Sequence, residues 1–255
     1  MLNIIRYILM DNLKNRFVIG YFIFLWAASF GLFILSNDAD KGVLGMSNIV
    51  LLLVPLVCSI YTSISVYNAA DFTRLLLTQP VSRIQIYLGY FISISLAMIA
   101  VFIIGVGVPL ITYSGGDTVF SILTSGVILS IVFTAIAFLS SLWIQDKVKG
   151  VGFILFLWLY FAVMYDGLML LFVKAMSDYP IEQYSIILAL LNPIDLCRIL
   201  IMFSLDISVL MGLTGAVIQD FMGTGTGKGI IYLTLFIWAI VPVVWAAWIF
   251  RRKDF

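Results

Sequence analysis

The chain has 255 residues and no histidine. That removes the commonest general base and the commonest imidazole metal ligand together. No His-Glu-x-x-His, Gly-x-Ser-x-Gly or paired-carboxylate arrangement occurs, so no residue is expected to be catalytic and a membrane enzyme is disfavoured. The stretch GTGTGKG, 223–229, has phosphate-loop composition. It fails as one, because Met222 stands where the leading glycine belongs and Gly229 stands where Ser or Thr would meet the magnesium ion. It reads as a flexible lead into the last apolar run, and the chain is not expected to hydrolyse nucleotide itself. Cys58 and Cys197 are not expected to pair. Ten methionines are scattered over the chain without a Met-x-x-Met or Cys-x-x-Cys box. Thiol and thioether sulfur suit Cu(I), but methionine is equally ordinary packing material. No metal site is assigned. Asp166 is the intramembrane candidate: a carboxylate inside an apolar run is costly and by default functional. Its alternatives are a place lining a dimer interface or pathway, a partner such as the Tyr165 hydroxyl, or an outward reach to the interface.

The elements that must position these residues follow from composition. The chain is 63% hydrophobic and 11% charged, with mean hydropathy +1.16. No soluble interior hides that much apolar surface. A net charge of +1 offers no field for nucleic acid. Windows of about 20 apolar residues cross a bilayer as helices, and six occur, near 17–36, 47–68, 84–113, 119–144, 151–172 and 229–250. The fold class is all-α, an integral membrane protein with six transmembrane helices in a single domain, 1–255. With the N-terminus inside, Arg6, Lys14, Arg16, Arg74, Arg83, Lys147, Lys149, Arg251, Arg252 and Lys253 lie inside. Only Lys41, Lys174, Arg198 and Lys228 lie outside. The positive-inside rule then places both termini in the cytoplasm. The first span is too long for a removed signal peptide and lacks a small-residue cleavage site.

Three connecting segments carry pattern. Residues 1–16 have helical spacing at Ile5, Ile8 or Leu9, and Asn12 or Leu13, with Asn3, Arg6, Asp11 and Lys14 opposite, as in an interfacial helix. Residues 71–83 form a short inner helix with Phe72, Leu75 and Leu76 on one side. Pro80 stops it near Thr78, and Ser82-Arg83-Ile84-Gln85 is a capping box that restarts the chain as span three, with Val81 and Ile86 placed as a hydrophobic staple. A helix this short needs either the bilayer surface or a protein partner. Residues 173–228 are a long outer segment, read as a hairpin that packs on its own spans or on a partner. Within it Asn192 is an N-cap, Pro193 fits N1, and Asp195 sits in the first turn and pairs with Arg198 at i,i+3. A tight outer turn, Ser114-Gly115-Gly116-Asp117, joins spans three and four. Spans four and five join through the charged inner loop 145–150.

The segment DFTRLLLTQPVSRIQIYLGYF, 71–91, resembles the first coupling segment of ABC-2 type ABC transporter permeases at Asp71, Leu75, Leu76, Leu77, Pro80, Ser82 and Arg83. The resemblance covers the whole chain and implies an ABC-2, type V exporter-like fold with an N-terminal interfacial helix, a cytoplasmic coupling helix and an outer helical hairpin. It also implies a bacterial inner-membrane permease subunit whose coupling helix docks on a separate ATPase. A narrower resemblance lies in LLNPIDLCRILIMFSLDISVLMGLTGAVIQDFMG, 190–223, and in YDGLMLL of span five. Asn192, Pro193, Asp195, Arg198, Gly212, Gly215 and Ala216 match the branch that matures copper-containing nitrous oxide reductase in denitrification. That branch implies a homodimer, a NosF-type cytoplasmic ATPase, a periplasmic β-helix protein of the NosD type, the copper chaperone NosL, and copper as handled substrate. The alternative is an ABC-2 exporter of lipid, drug or polysaccharide without a periplasmic partner.

Overall fold

The computed structural model describes residues 2–36, 39–78, 82–175, 187–205 and 225–252. All elements among the described residues are helical. They are α1 (Leu2–Lys14), α2 (Arg16–Leu35), α3 (Ala39–Asn68), α4 (Ala70–Leu77), α5 (Arg83–Phe102) and, after a π-helical segment Ile103–Gly107, α6 (Val108–Tyr113). Next come α7 (Asp117–Trp143), α8 (Lys147–Leu159), a second π-helical segment Tyr160–Met164 and α9 (Tyr165–Ala175). A helical turn over 187–190 precedes α10 (Pro193–Ser204), and α11 (Gly225–Arg252) ends the described chain.

Six helices are long and apolar enough to span a membrane: Arg16–Leu35, Lys41–Asn68, Arg83–Tyr113, Asp117–Trp143, Lys147–Phe172 and Gly227–Arg252. Spans three and four form the core, 61% and 67% of their apolar windows being buried, while spans five and six are 22% buried and peripheral. The sixth begins earlier than its sequence implied. The 223–229 stretch was expected to be a flexible lead, yet Gly225 to Lys228 are the first residues of α11. The long apolar helix propagates back through them despite about 1 kcal/mol per glycine. Gly223 and Thr224 lie outside the described residues, as do 176–186 and 206–224 of the outer segment, Asp206, Gly212, Gly215 and Ala216 among them.

Small and hydroxylated residues let the core helices approach. The Ser141 hydroxyl of α7 meets the Ser63 hydroxyl of α3 at 3.0 Å, and Ser130 and Ser141 also donate back to their own helix at Gly126 and Ala137, both at 2.7 Å. Gly126 lies flat against the Phe102 ring, where any Cβ would collide. The turn into α7 needs Gly116, whose φ of +93° and ψ of −165° are open only to glycine.

One end of the bundle gathers α1, α4, the start of α5 and the α7–α8 loop. The other end gathers the α6–α7 turn and α10. This polarity places the two candidate regions at opposite ends.

Candidate functional site

At the α10 end, Asn192 precedes the helix in extended conformation, and its side-chain oxygen accepts from the Ile194 N–H at 3.0 Å. Pro193 fills the first helical position, where a missing N–H costs nothing. The Asn192 amide donates twice, to the Phe161 carbonyl at 2.9 Å and to Asp195 Oδ2 at 2.8 Å. Arg198 Nη1 then bridges Asp195 Oδ1 at 2.6 Å and Asp166 Oδ2 at 2.8 Å. One cation therefore holds two carboxylates from different elements, and the cap of α10 is tied to the π-helical turn of span five. The Tyr165 hydroxyl donates to the Leu188 carbonyl at 2.5 Å, and Trp238 Nε1 of α11 donates to the Leu190 carbonyl at 3.3 Å. The turn before α10 is thus bonded to spans five and six.

Burial pushes the Asp195 carboxyl up, to about 7. Arg198 pulls it down, while the neighbouring Asp166 carboxylate raises it by repulsion and by sharing a hydrogen bond. A cavity of about 330 Å³ opens beside the knot, lined by Leu51, Leu52, Ala162, Ile194 and Arg198 among others. Its walls are apolar but for Arg198 and Asn48 of α3.

The Asp166 partner differs from the tyrosine or interfacial alternatives read from sequence. The Tyr165 hydroxyl is engaged elsewhere and Asp166 meets Arg198. The π-helical segment Tyr160–Met164 is the reason, since its extra residue per turn changes the direction of every later side chain in the span. That segment, and the Phe161 carbonyl it presents, carry no signature in the sequence. Cys58 and Cys197 are both free and buried. Among the described residues no three His, Cys, Asp or Glu side chains gather as a metal would require.

At the opposite end, α4 runs Ala70–Leu77 and closes with Thr78, whose N–H and hydroxyl both reach the Leu75 carbonyl, at 3.3 and 2.8 Å. Phe72 stacks on Tyr7 of α1 at 6.2 Å and meets the Tyr90 ring of α5 edge-on at 6.4 Å. Thr73 is buried, while Leu75 is 66% exposed. The side chains of Asp71 and Leu76, together with Gln79, Pro80 and Val81, lie outside the described residues. Ser82 caps α5, its hydroxyl accepting from the Gln85 N–H at 3.4 Å. Arg83 reaches the Arg251 carbonyl in the last turn of α11 at 3.2 Å, a cation on the negative end of that helix. Coupling candidates and hairpin candidates are therefore not one site. Asn192, Pro193, Asp195 and Arg198 assemble with Asp166, while Leu75, Ser82 and Arg83 belong to the other end.

Residues 73–255 match the family model described as ABC-2 family transporter protein. The chain is similar along its length to two curated proteins, each named probable ABC transporter permease protein NosY. The one from Pseudomonas aeruginosa is 25% identical over 266 aligned positions, covering 96% of this chain and 95% of that protein. The one from Stutzerimonas stutzeri is 26% identical over 291, covering 98% of each. With six spanning helices and a family match running from the short helix α4 to the end of the chain, this protein belongs to the ABC-2 family of transporters, as a multi-pass permease subunit similar to the two NosY-named proteins.

Proposed function

We propose that this chain couples ATP hydrolysis on a separate NosF-type cytoplasmic ATPase to a NosD-type periplasmic β-helix protein, in maturation of the copper site of nitrous oxide reductase. In this reading the permease is a homodimer in the bacterial inner membrane, with both termini cytoplasmic. ATP and Mg are bound by the ATPase alone. Copper is a handled substrate, passed on with the chaperone NosL rather than held as a resident ion. The observation that supports the reading is that α4 and α10 stand at opposite ends of the bundle, in a chain similar from end to end to NosY-named permeases. Helix α4 is pinned by Phe72 to α1 and α5 and leaves Leu75 exposed. Helix α10 is pinned by Arg198 and Asn192 to span five. Among the described residues the spans connect α4 to α10, and α10 rests directly on them.

The test is co-purification of both partners from one detergent extract. Leu75→Asp alters an exposed side chain, so the fold is expected to survive. It buries a charge where the ATPase docks, at a cost of several kcal/mol, and the ATPase is expected to be lost while the periplasmic protein stays bound. Retention of the ATPase at wild-type yield sinks the docking assignment. An exporter of lipid, drug or polysaccharide without a periplasmic partner is the second reading. It is favoured if the wild-type complex never carries a β-helix protein.

A further inference from the structure

Beneath α4 lies a cavity of about 250 Å³, far larger than the ~30 Å³ that one water occupies. The Tyr7, Phe72 and Tyr90 rings line it, contributed by α1, α4 and α5. Phe72 is the middle ring, stacked on Tyr7 at 28° and edge-on to Tyr90 at 70°. Asp11 lines the same cavity one helical turn beyond Tyr7. Asn12 lines it too and is only 7% exposed. Its oxygen accepts from the Tyr61 hydroxyl at 2.5 Å, but its Nδ2 is buried without a hydrogen-bond partner. That nitrogen has no surface open to the cavity and takes no part in what the cavity holds.

The two halves of the lining ask for different charges. Aromatic faces beside a carboxylate recognise an alkylammonium. The polar lining residues Asn15, Ser65 and Asn68 offer hydrogen bonds to an anionic or ester oxygen. One ligand chemistry offers both a few bonds apart: a phosphodiester bearing an alkylammonium. The source is set by α1, which turns Tyr7, Met10 and Leu13 outward alongside Arg6 and Lys14, the mixed apolar and basic surface of a helix lying in a lipid interface.

We propose that the α1–α4–α5 cavity is a phospholipid headgroup site, in which Tyr7, Phe72, Tyr90 and Asp11 hold the alkylammonium and the polar lining residues Asn15, Ser65 and Asn68 face the phosphodiester. The site does not depend on the docking role of α4, since it uses Phe72 and not Leu75.

The test titrates the full-length chain, purified in detergent and stripped of lipid, with phosphatidylethanolamine, phosphatidylcholine and phosphatidylglycerol of identical acyl chains. Native mass spectrometry counts the bound lipid and thermal unfolding follows its effect. The two amine-bearing lipids are expected to bind about tenfold more tightly than phosphatidylglycerol. Asp11→Asn, nearly isosteric, should erase that preference without lowering the melting temperature of the lipid-free protein. Phe72→Leu should reduce it. Equal binding of phosphatidylglycerol, or a preference intact in Asp11→Asn, overturns the proposal. Free phosphoethanolamine or phosphocholine binding as tightly as the lipids overturns the lipid assignment.

Discussion

Arg198 has a single side chain for two carboxylates, and the arrangement leaves Asp195 the more buried of the pair, its side chain 14% exposed against 36% for Asp166. Removing the cation should therefore hurt more than removing either acid. Arg198→Met leaves two acids facing each other and is expected to lower stability by about 2 kcal/mol, whereas Asp166→Asn should cost less than half as much. Thermal unfolding of the two single variants and their combination checks this, and purely additive effects would mean that the pair is not coupled. The Asp195 carboxyl adds a pH signature. Its folded value, near 7, lies above the ordinary value of 3.8. The folded state therefore holds the proton more tightly, so this contribution is full below about pH 4 and fades as pH rises through 7. Melting temperature should fall from pH 5 to pH 8, and Asp195→Asn should flatten the slope. The i,i+3 pairing of Asp195 with Arg198 and the Asn192-Pro193 cap are legible as local spacing. The third member, Asp166, is not, because it arrives from a helix more than thirty positions away in sequence.

Among the elements, the join between spans four and five is closely bonded at the α4 end. The Tyr67 hydroxyl donates to the Ile144 carbonyl at 2.7 Å, and Lys147 Nζ donates to Asn68 Oδ1 at 2.8 Å. Asp146 caps α8 by accepting from the Lys149 N–H at 2.9 Å. Gly150 lies directly under the Tyr67 hydroxyl, with no space for a Cβ. Gly150→Ala should therefore expel Tyr67 and destabilise the protein by about 1–3 kcal/mol, an effect expected to shrink sharply in a Tyr67→Ala background. Denaturation of the two single variants and the double variant in detergent reads it out, and an undiminished penalty in the double variant would mean that Tyr67 is not the obstacle. From sequence the 145–150 loop is only a short charged connection, since nothing local announces a glycine chosen for a tyrosine more than eighty residues earlier. Helices α1 and α4 were more readable, because a proline, a Ser-x-x-Gln cap and helical spacing act over a few residues. What they pack against depends on rings that sequence spacing does not bring together.

At the scale of the molecule, six long apolar runs suffice to name an all-helical membrane protein, and the spans lie within a few residues of where hydropathy places them. The division between buried third and fourth spans and exposed fifth and sixth is not legible that way, because all six are similarly apolar. The two ends also differ in charge, with Arg6, Lys14, Lys147, Lys149, Arg251 and Arg252 gathered towards the α1 end. That asymmetry predicts a cytoplasmic α1 end. In intact cells carrying a Cys58→Ala, Cys197→Ala background, a membrane-impermeant thiol reagent should label Lys174→Cys at the far end. It should spare Val148→Cys, a site 81% exposed on the α1 side, until the membrane is opened. The reverse pattern would invert the topology.

The π-helical turn Tyr160–Met164 has a consequence for descent as well as for geometry. Such a turn absorbs one residue beyond the regular α count, and each residue of an α-helix turns the chain by about 100°. In an unbroken helix of the same sequence, Asp166 would point about 100° round the axis from its present direction, away from Arg198. A one-residue insertion at this place is thus a rotation of the last third of span five. Relatives with and without it align only by sliding one position. An ancestor that lost the residue would have to carry its acid one place earlier in the chain to keep the same partner.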